Sequence, residues 1–227
     1  MKLNFFTIIF LMSFSVFSQT TVTDVSGNIY KTVKIGNQIW MAENLRTEKF
    51  RNGDPIEQII TNDLWVNIAT YAMNDTTLND TYPAMCYYNN IKLKESALYN
   101  WYTVIDNREV CPVGWHVPSV NEFEVLIKYL GGMKSGSAKL KSNSPEMFNG
   151  NNSSGFNAMP VGLRLGSGEF AYKNDETIFW TEYYSKKQYE DLFEFFGIGL
   201  LLNSKNENSK IGDFTFGMAS SIRCIKN

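Results

Sequence analysis

Few groups in this 227-residue chain can do chemistry, so the search is short. Histidine occurs once, at His116. A paired-histidine mechanism or a histidine-rich metal site therefore has no second member. With a carboxylate and a nucleophile His116 could still serve as a general base. Its place in GWHVPS, ahead of a helix start, points instead to packing and hydrogen bonding that fix the entry of that helix. The three cysteines, Cys86, Cys111 and Cys224, are not spaced as zinc ligands and allow three disulfide pairings. A Cys111 to Cys224 bridge would close a loop of more than a hundred residues and leave Cys86 as the spare thiol; Cys86 with Cys224 is the alternative. No catalytic or metal-binding constellation emerges, and no cofactor is expected. The groups suited to gripping a sugar or a peptide are amides, carboxylates, guanidinium and exposed aromatics. On that ground Arg164, Glu182, Tyr183 and Tyr184, with Asn151 and Asn152 and the neighbouring Asn149, are the candidate ligand-binding residues, set against a plain solvated surface.

The elements that must position these groups are organised around Cys111 to Gly132. Ser119 is placed to cap a helix beginning at Val120, with Glu122 three residues on completing a capping box and Pro118 and Phe123 at the staple positions. Phe123, Leu126, Ile127 and Leu130 recur on one helical face, and Gly131 and Gly132 end it. Upstream, Asn28 to Ile35 and Gln38 to Met41 flank Gly36 and Asn37 as a hairpin, and Asn52 and Gly53 mark a second turn. Ile56 to Thr81 reads as mostly loop, including the polar run from Asn74 to Asp80. Met85 to Tyr88 reads as a short strand, and Glu95 to Ile105 has helical spacing. Lys134 to Ser154 has the composition of an exposed connection. Beyond it, strands are expected on both sides of a turn at Gly166 to Gly168, then at Thr177 to Tyr184, Phe193 to Leu202 and Phe214 to Ile225. Four of the five tryptophans, Trp40, Trp101, Trp115 and Trp180, fall in these elements and read as core rather than as stacking platforms.

Residues 1–18 have the form of a secretory signal, with Lys2, an apolar run from Phe5 to Val16 and a small residue at Ser18. The run is shorter than the roughly 20 apolar residues of a membrane span. Residues 19–227, about 209 in number, fit one domain. Without Lys2 the rest carries 20 basic and 23 acidic residues, the basic ones scattered, which speaks against a nucleic-acid partner.

The segments IGNQIWMAENL, MCYYNN, LYNWYTV, CPVGWHVPSVNEFEVL, YLGG, GFNAMPVGLR and SIRCIKN, in that order, resemble the Fibrobacter succinogenes major paralogous domain family. That family is similar to C-type lectin-like domains and, more distantly, to the formylglycine-generating fold. The resemblance implies an α+β, C-type lectin-like fold: two helices packed on antiparallel β-sheets, N- and C-terminal strands together, and a long irregular loop region on one side. The EPN, QPD and WND tripeptides of calcium-dependent sugar binding are absent, and a reactive cysteine pair for formylglycine generation is not in place. The expectation is an exported, non-catalytic binding module, periplasmic, on the cell surface or secreted. It would recognise a glycan or protein ligand without calcium and carry no membrane span in its mature form. A structural or adhesive component of an extracellular assembly is the alternative, and an enzyme of the formylglycine-generating-like fold ranks last. Oligomeric state is not legible.

Overall fold

The computed structural model describes residues 20–74, 81–144, 148–189, 192–205 and 207–227. The signal segment and nearly all of the polar run from Asn74 to Asp80 lie outside them.

The chain opens with β1 (Thr21–Thr23), β2 (Ile29–Ile35) and β3 (Gln38–Met41). β2 and β3 form the expected hairpin across Gly36, whose φ of +60° suits glycine. A long irregular segment then leads to β4 (Glu57–Gln58) and α1 (Asn62–Asn74). The sequence reads Ile56 to Thr81 as mostly loop, because Trp65 and Tyr71 are mixed there with the Asn- and Asp-rich run from Asn74 to Asp80. Trp65, Ile68 and Ala69 nonetheless recur at helical spacing and are buried, Trp65 and Ile68 in a cluster with Cys86, Leu98 and Ala219 and Ala69 against Gly217, and that packing outweighs propensity.

Next come β5 (Ala84–Tyr87), β6 (Ala97–Asn100), α2 (Trp101–Ile105) and β7 (Trp115–His116). The single helix expected from Glu95 to Ile105 is therefore a strand followed by a helix. All four residues of β6 are buried, so no exposed face reveals its period, and the Asn100 side chain caps α2 by accepting from the Thr103 N–H. The capped helix stands as expected as α3 (Val120–Tyr129), with both halves of the Ser119 and Glu122 box formed. Gly131 and Gly132 end it at φ of +100° and +92°. In place of the expected exposed connection, α4 (Gly132–Leu140) follows at once and packs on α3. Its small residues are contact residues: a Cβ on Gly136 would stand 3.4 Å from the Ile127 carbonyl oxygen.

The C-terminal third contains β8 (Leu163–Arg164), β9 (Phe170–Ala171), β10 (Glu176–Tyr189), β11 (Leu192–Asn203), β12 (Lys210–Thr215), β13 (Ala219–Ser220) and β14 (Ile225–Lys226). The strand expected over Phe214 to Ile225 is thus three short ones. The elements make a mixed helix and strand fold dominated by three sheets, ordered β1-β2-β3-β14-β7, β10-β11-β12 and β4-β5-β6-β13-β8-β9.

One segment ties the three sheets together. Ala219 and Ser220 pair with β6 and, through Ala219, with β8. Ser221 then exchanges backbone bonds with β10: its N–H donates to Ile178 O and its carbonyl accepts from Trp180, both at 3.1 Å. Ile225 finally pairs with both β3 and β7, which brings the N- and C-terminal strands together. Residues 219–225 are all buried. In their midst the Arg223 guanidinium donates to the carbonyls of Met41 and Phe156 and to Asn44 Oδ1, between the rings of Phe156 and Phe179. Burial lowers its pKa to about 9, against the pull of Glu95 and Glu43.

Candidate functional site

The feature that departs most from regular pairing is in β10. The ladder with β11 runs to Trp180 opposite Gly199 and resumes at Tyr184 opposite Gly197, so Thr181, Glu182 and Tyr183 stand against Ile198 alone. A bulge of this kind bends the strand and re-aims its side chains. The polar backbone is kept satisfied by substitutes. Thr181 Oγ1 donates to Ile198 O at 2.8 Å, and the Glu182 N–H donates to Pro118 O at 3.1 Å. Trp101 supports the bulge from behind, its Nε1 donating to Thr181 O at 3.2 Å. Trp101 also stacks on Phe216 at 4.3 Å, and Tyr184 meets the edges of Trp101 and Phe195 at 5.7 and 5.6 Å. An aromatic column thus reaches the surface at Tyr184. A Cβ on Gly197 would come within 2.5 Å of Trp101 Cδ1, so the ring and the strand fit only because that residue is glycine.

Glu182 and Tyr183 line a cleft of about 360 Å³ with Val104 and Ile105 at the end of α2, Arg51, Glu109 to Cys111, His116 and Val117. Tyr183 is 54% exposed. The Glu182 side chain makes no hydrogen bond or ion pair among the described residues. The opposite wall is held rigidly by Arg51. Its Nε donates to Cys111 O at 3.1 Å, its Nη2 to Pro112 O at 3.2 Å and Trp115 O at 2.8 Å, and its Nη1 pairs with Glu109. The Cys111–Cys224 disulfide, which leaves Cys86 as a buried thiol, anchors this wall to the central segment. A second cavity of about 240 Å³, lined also by Asp24 and Val113, shares Arg51, Val110 and Cys111 with the cleft.

His116 is occupied on both ring nitrogens, Nε2 with Glu122 Oε1 at 2.9 Å and Nδ1 with Asn227 Oδ1 at 2.7 Å. Glu122 divides its carboxylate: Oε2 accepts from the Ser119 N–H at 2.7 Å while Oε1 meets the imidazole. The histidine therefore fixes the start of α3, as its place in the sequence suggested. Trp40, Trp101, Trp115 and Trp180 are buried as expected.

The structure brings Glu182, Tyr183 and Tyr184 together on one exposed bend and separates the remaining candidates from it. Arg164 is a correction. Expected at the surface, it is fully buried, donating to the carbonyls of Gly168, Ile59 and Thr61 and to Asn62 Oδ1 at 2.6–3.1 Å, with Trp65 and Phe170 against its guanidinium. The turn and sheet edge it braces leave the oxygens of Ile59 and Gly168 to be satisfied, and a guanidinium with five donors serves them while sharing Thr61 O with the Trp65 N–H. It lies beside Cys86, whose thiol burial pushes up to about 12 despite the opposing pull of Arg164. Asn151 and Asn152 brace their own loop: Asn151 Oδ1 accepts from the Ser153 N–H at 3.0 Å, and Asn152 Oδ1 accepts from the Asn157 N–H at 2.8 Å. Asn149 lines a separate cavity with Lys141 and Lys205.

The sequence reading missed Arg51 and Glu109, and it did not place His116 at the cleft. Arg51 carried no signal, since the carbonyls it serves lie 60 residues and more away. Among the described residues no three His, Cys, Asp or Glu side chains stand together as metal ligands, and no helix is long and apolar enough to cross a membrane.

What the cleft offers is an apolar floor, a phenol ring and a carboxylate with open acceptor capacity, which suits a polar ligand with one flat apolar face. The chain matches the family described as the Fibrobacter succinogenes major domain over residues 33–226, and it belongs to that family. No curated protein and no solved structure matches it.

Proposed function

We propose that this Fibrobacter succinogenes major domain protein is a non-catalytic recognition module that grips a glycan or protein ligand at the β10 bend, outside the cytoplasm and without calcium. The observation that carries the reading is the bulge itself. Three residues are displaced from a regular ladder, their backbone is satisfied by other means, and the result is an outward-facing carboxylate and two tyrosines beside a formed cleft. Bulges next to sites commonly serve to re-aim a side chain. The engagement of both His116 nitrogens by structural partners favours binding over acid–base catalysis. A C-type lectin-like arrangement of the helices and sheets belongs to the same proposal.

The test is a binding screen of the folded chain from residue 19 against polysaccharides and glycans, run in calcium and again in chelator. Saturable binding that survives the chelator and falls about tenfold in Tyr183→Ala, as for loss of an aromatic contact worth roughly 1–2 kcal/mol, supports the proposal. Binding abolished by the chelator removes the calcium-free reading. No binding by folded protein moves the assignment to the structural or adhesive alternative, which sedimentation of the same samples would reveal as self-association.

A further inference from the structure

On another part of the molecule, the turn after β5 and the loop leading to β6 face residues 159–161 and 173–174 across a groove of about 370 Å³. Its walls are Tyr88, Ile91, Leu93, Met159, Pro160 and Val161, an apolar lining quite unlike that of the cleft at the bend. Ile91 and Leu93 are 57% and 56% exposed, beside Tyr88 and Val161 of a buried apolar cluster. Both walls carry backbone that ordinary side chains avoid. Asn89 and Asn90 have φ of 53° and 58°, and Tyr172 and Asn174 have φ of 60° and 63°. Asparagine tolerates this region, whereas at Tyr172 it is strained, and strained backbone of that kind clusters at ligand clamps and other functional sites.

Lys94 and Glu95 on one wall and Lys173 on the other also line the groove. Lys94 pairs with Glu43 at 2.6 Å, and Glu95 and Glu43 both lie in the field of the buried Arg223. Lys173, with its Nζ 5.3 Å from the centre of the Tyr88 ring, has no carboxylate partner among the described residues. The Asn174 amide beside it makes no side-chain hydrogen bond among them either.

We propose that this groove is a second binding site, for a small amphipathic anion: an aliphatic or aromatic body against Ile91, Leu93, Met159 and Tyr88, with its carboxylate or sulfonate at Lys173 and Asn174. The volume falls in the usual range for small-molecule sites, about 300–1,000 Å³, and the pattern of apolar walls with few polar groups is the usual one. The site is independent of the bend at Glu182.

The test uses two dyes with the same rings, the anionic 8-anilinonaphthalene-1-sulfonate and the neutral N-phenyl-1-naphthylamine, titrated by fluorescence into the folded chain, with decanoate as competitor. The expected result is saturable one-to-one binding of the anionic dye, displaced by decanoate. Leu93→Asp should weaken it about tenfold, from lost apolar contact. Lys173→Ala should weaken the anionic dye about threefold and leave the neutral one unchanged. Both positions are exposed, so the variants fold; Glu182→Gln should change neither dye. Binding that is absent, or indifferent to Leu93→Asp and Met159→Asp, overturns the site. Equal binding of both dyes with no effect of Lys173→Ala overturns the anionic ligand and marks the groove as a seat for a neutral apolar group.

Discussion

The disulfide between Cys111 and Cys224 offers the sharpest quantitative test, because its removal should act almost wholly on the unfolded chain. The two cysteines are separated by 113 positions. Closing a loop of that length costs the denatured ensemble about 16 cal/mol/K, or about 5 kcal/mol at 25 °C. The folded side changes little, since Arg51 independently holds the carbonyls of Cys111, Pro112 and Trp115, and β14 is paired on both edges. In a domain of this size each kcal/mol moves the melting temperature by roughly 2–4 °C, so Cys111→Ala/Cys224→Ala should melt roughly 10–20 °C lower than wild type. The assay is thermal unfolding by circular dichroism. The double variant is preferable to added reductant, because both sulfurs are buried. Cys86→Ala is the control: it removes a buried thiol that bridges nothing and should lower the melting temperature by only a few degrees. A double variant melting within about 3 °C of wild type would refute the reasoning. It would mean that the bridge is not formed, or that the unfolded chain is already compact enough to have lost that freedom.

Arg164→Ala should destabilise by about 3–5 kcal/mol, since it strands the buried carbonyls of Ile59 and Gly168; urea titration would show it, and a soluble, equally stable variant would return Arg164 to the list of surface residues. Gly197→Ala pushes a methyl into Trp101 and should cost about 1–3 kcal/mol, with altered near-ultraviolet circular dichroism from the displaced indole and weaker ligand binding at the bend. Asp106 accepts from Arg108 at both carboxylate oxygens, and those bonds, outweighing partial burial, hold its pKa below the ordinary carboxylate range. Its folded value is depressed, so its contribution to stability is present above the unfolded pKa and is lost as pH falls through the folded one. The difference between wild type and Asp106→Asn in denaturant titrations should therefore shrink between pH 7 and pH 3.

Local signals carried much of the fold. Ser119 and Glu122 form a cap from residues three apart, and the hairpin at Gly36 needs only its own turn, so both are legible without tertiary knowledge. What escaped depends on neighbours distant in sequence. The Gly and Ser run of α4 looks like loop until the backbone of α3 is placed against it, where small residues are what the contact requires. β6 hides its period because both faces are covered. At the candidate site, Glu182 and Tyr183 were accessible to composition reasoning, but the bulge that presents them depends on Ile198 and Pro118, and Arg164 was misplaced because an arginine serving buried carbonyls looks no different in sequence from one in water.

The three-sheet stitch at residues 219–226 has a consequence for the order of events on the ribosome. The hairpin of β2 and β3 is complete once residue 41 has emerged, yet β3 keeps an open edge until β14 arrives 185 residues later. At roughly 5–20 residues per second that interval is about 10–40 s. Through all of it Cys111 lacks its partner sulfur, the six-stranded sheet lacks β13 at its centre, and the oxygens meant for Arg223 are open to solvent. Until almost its last described residue is made, the two sheets that take β13 and β14 keep open edges, and only then can they close.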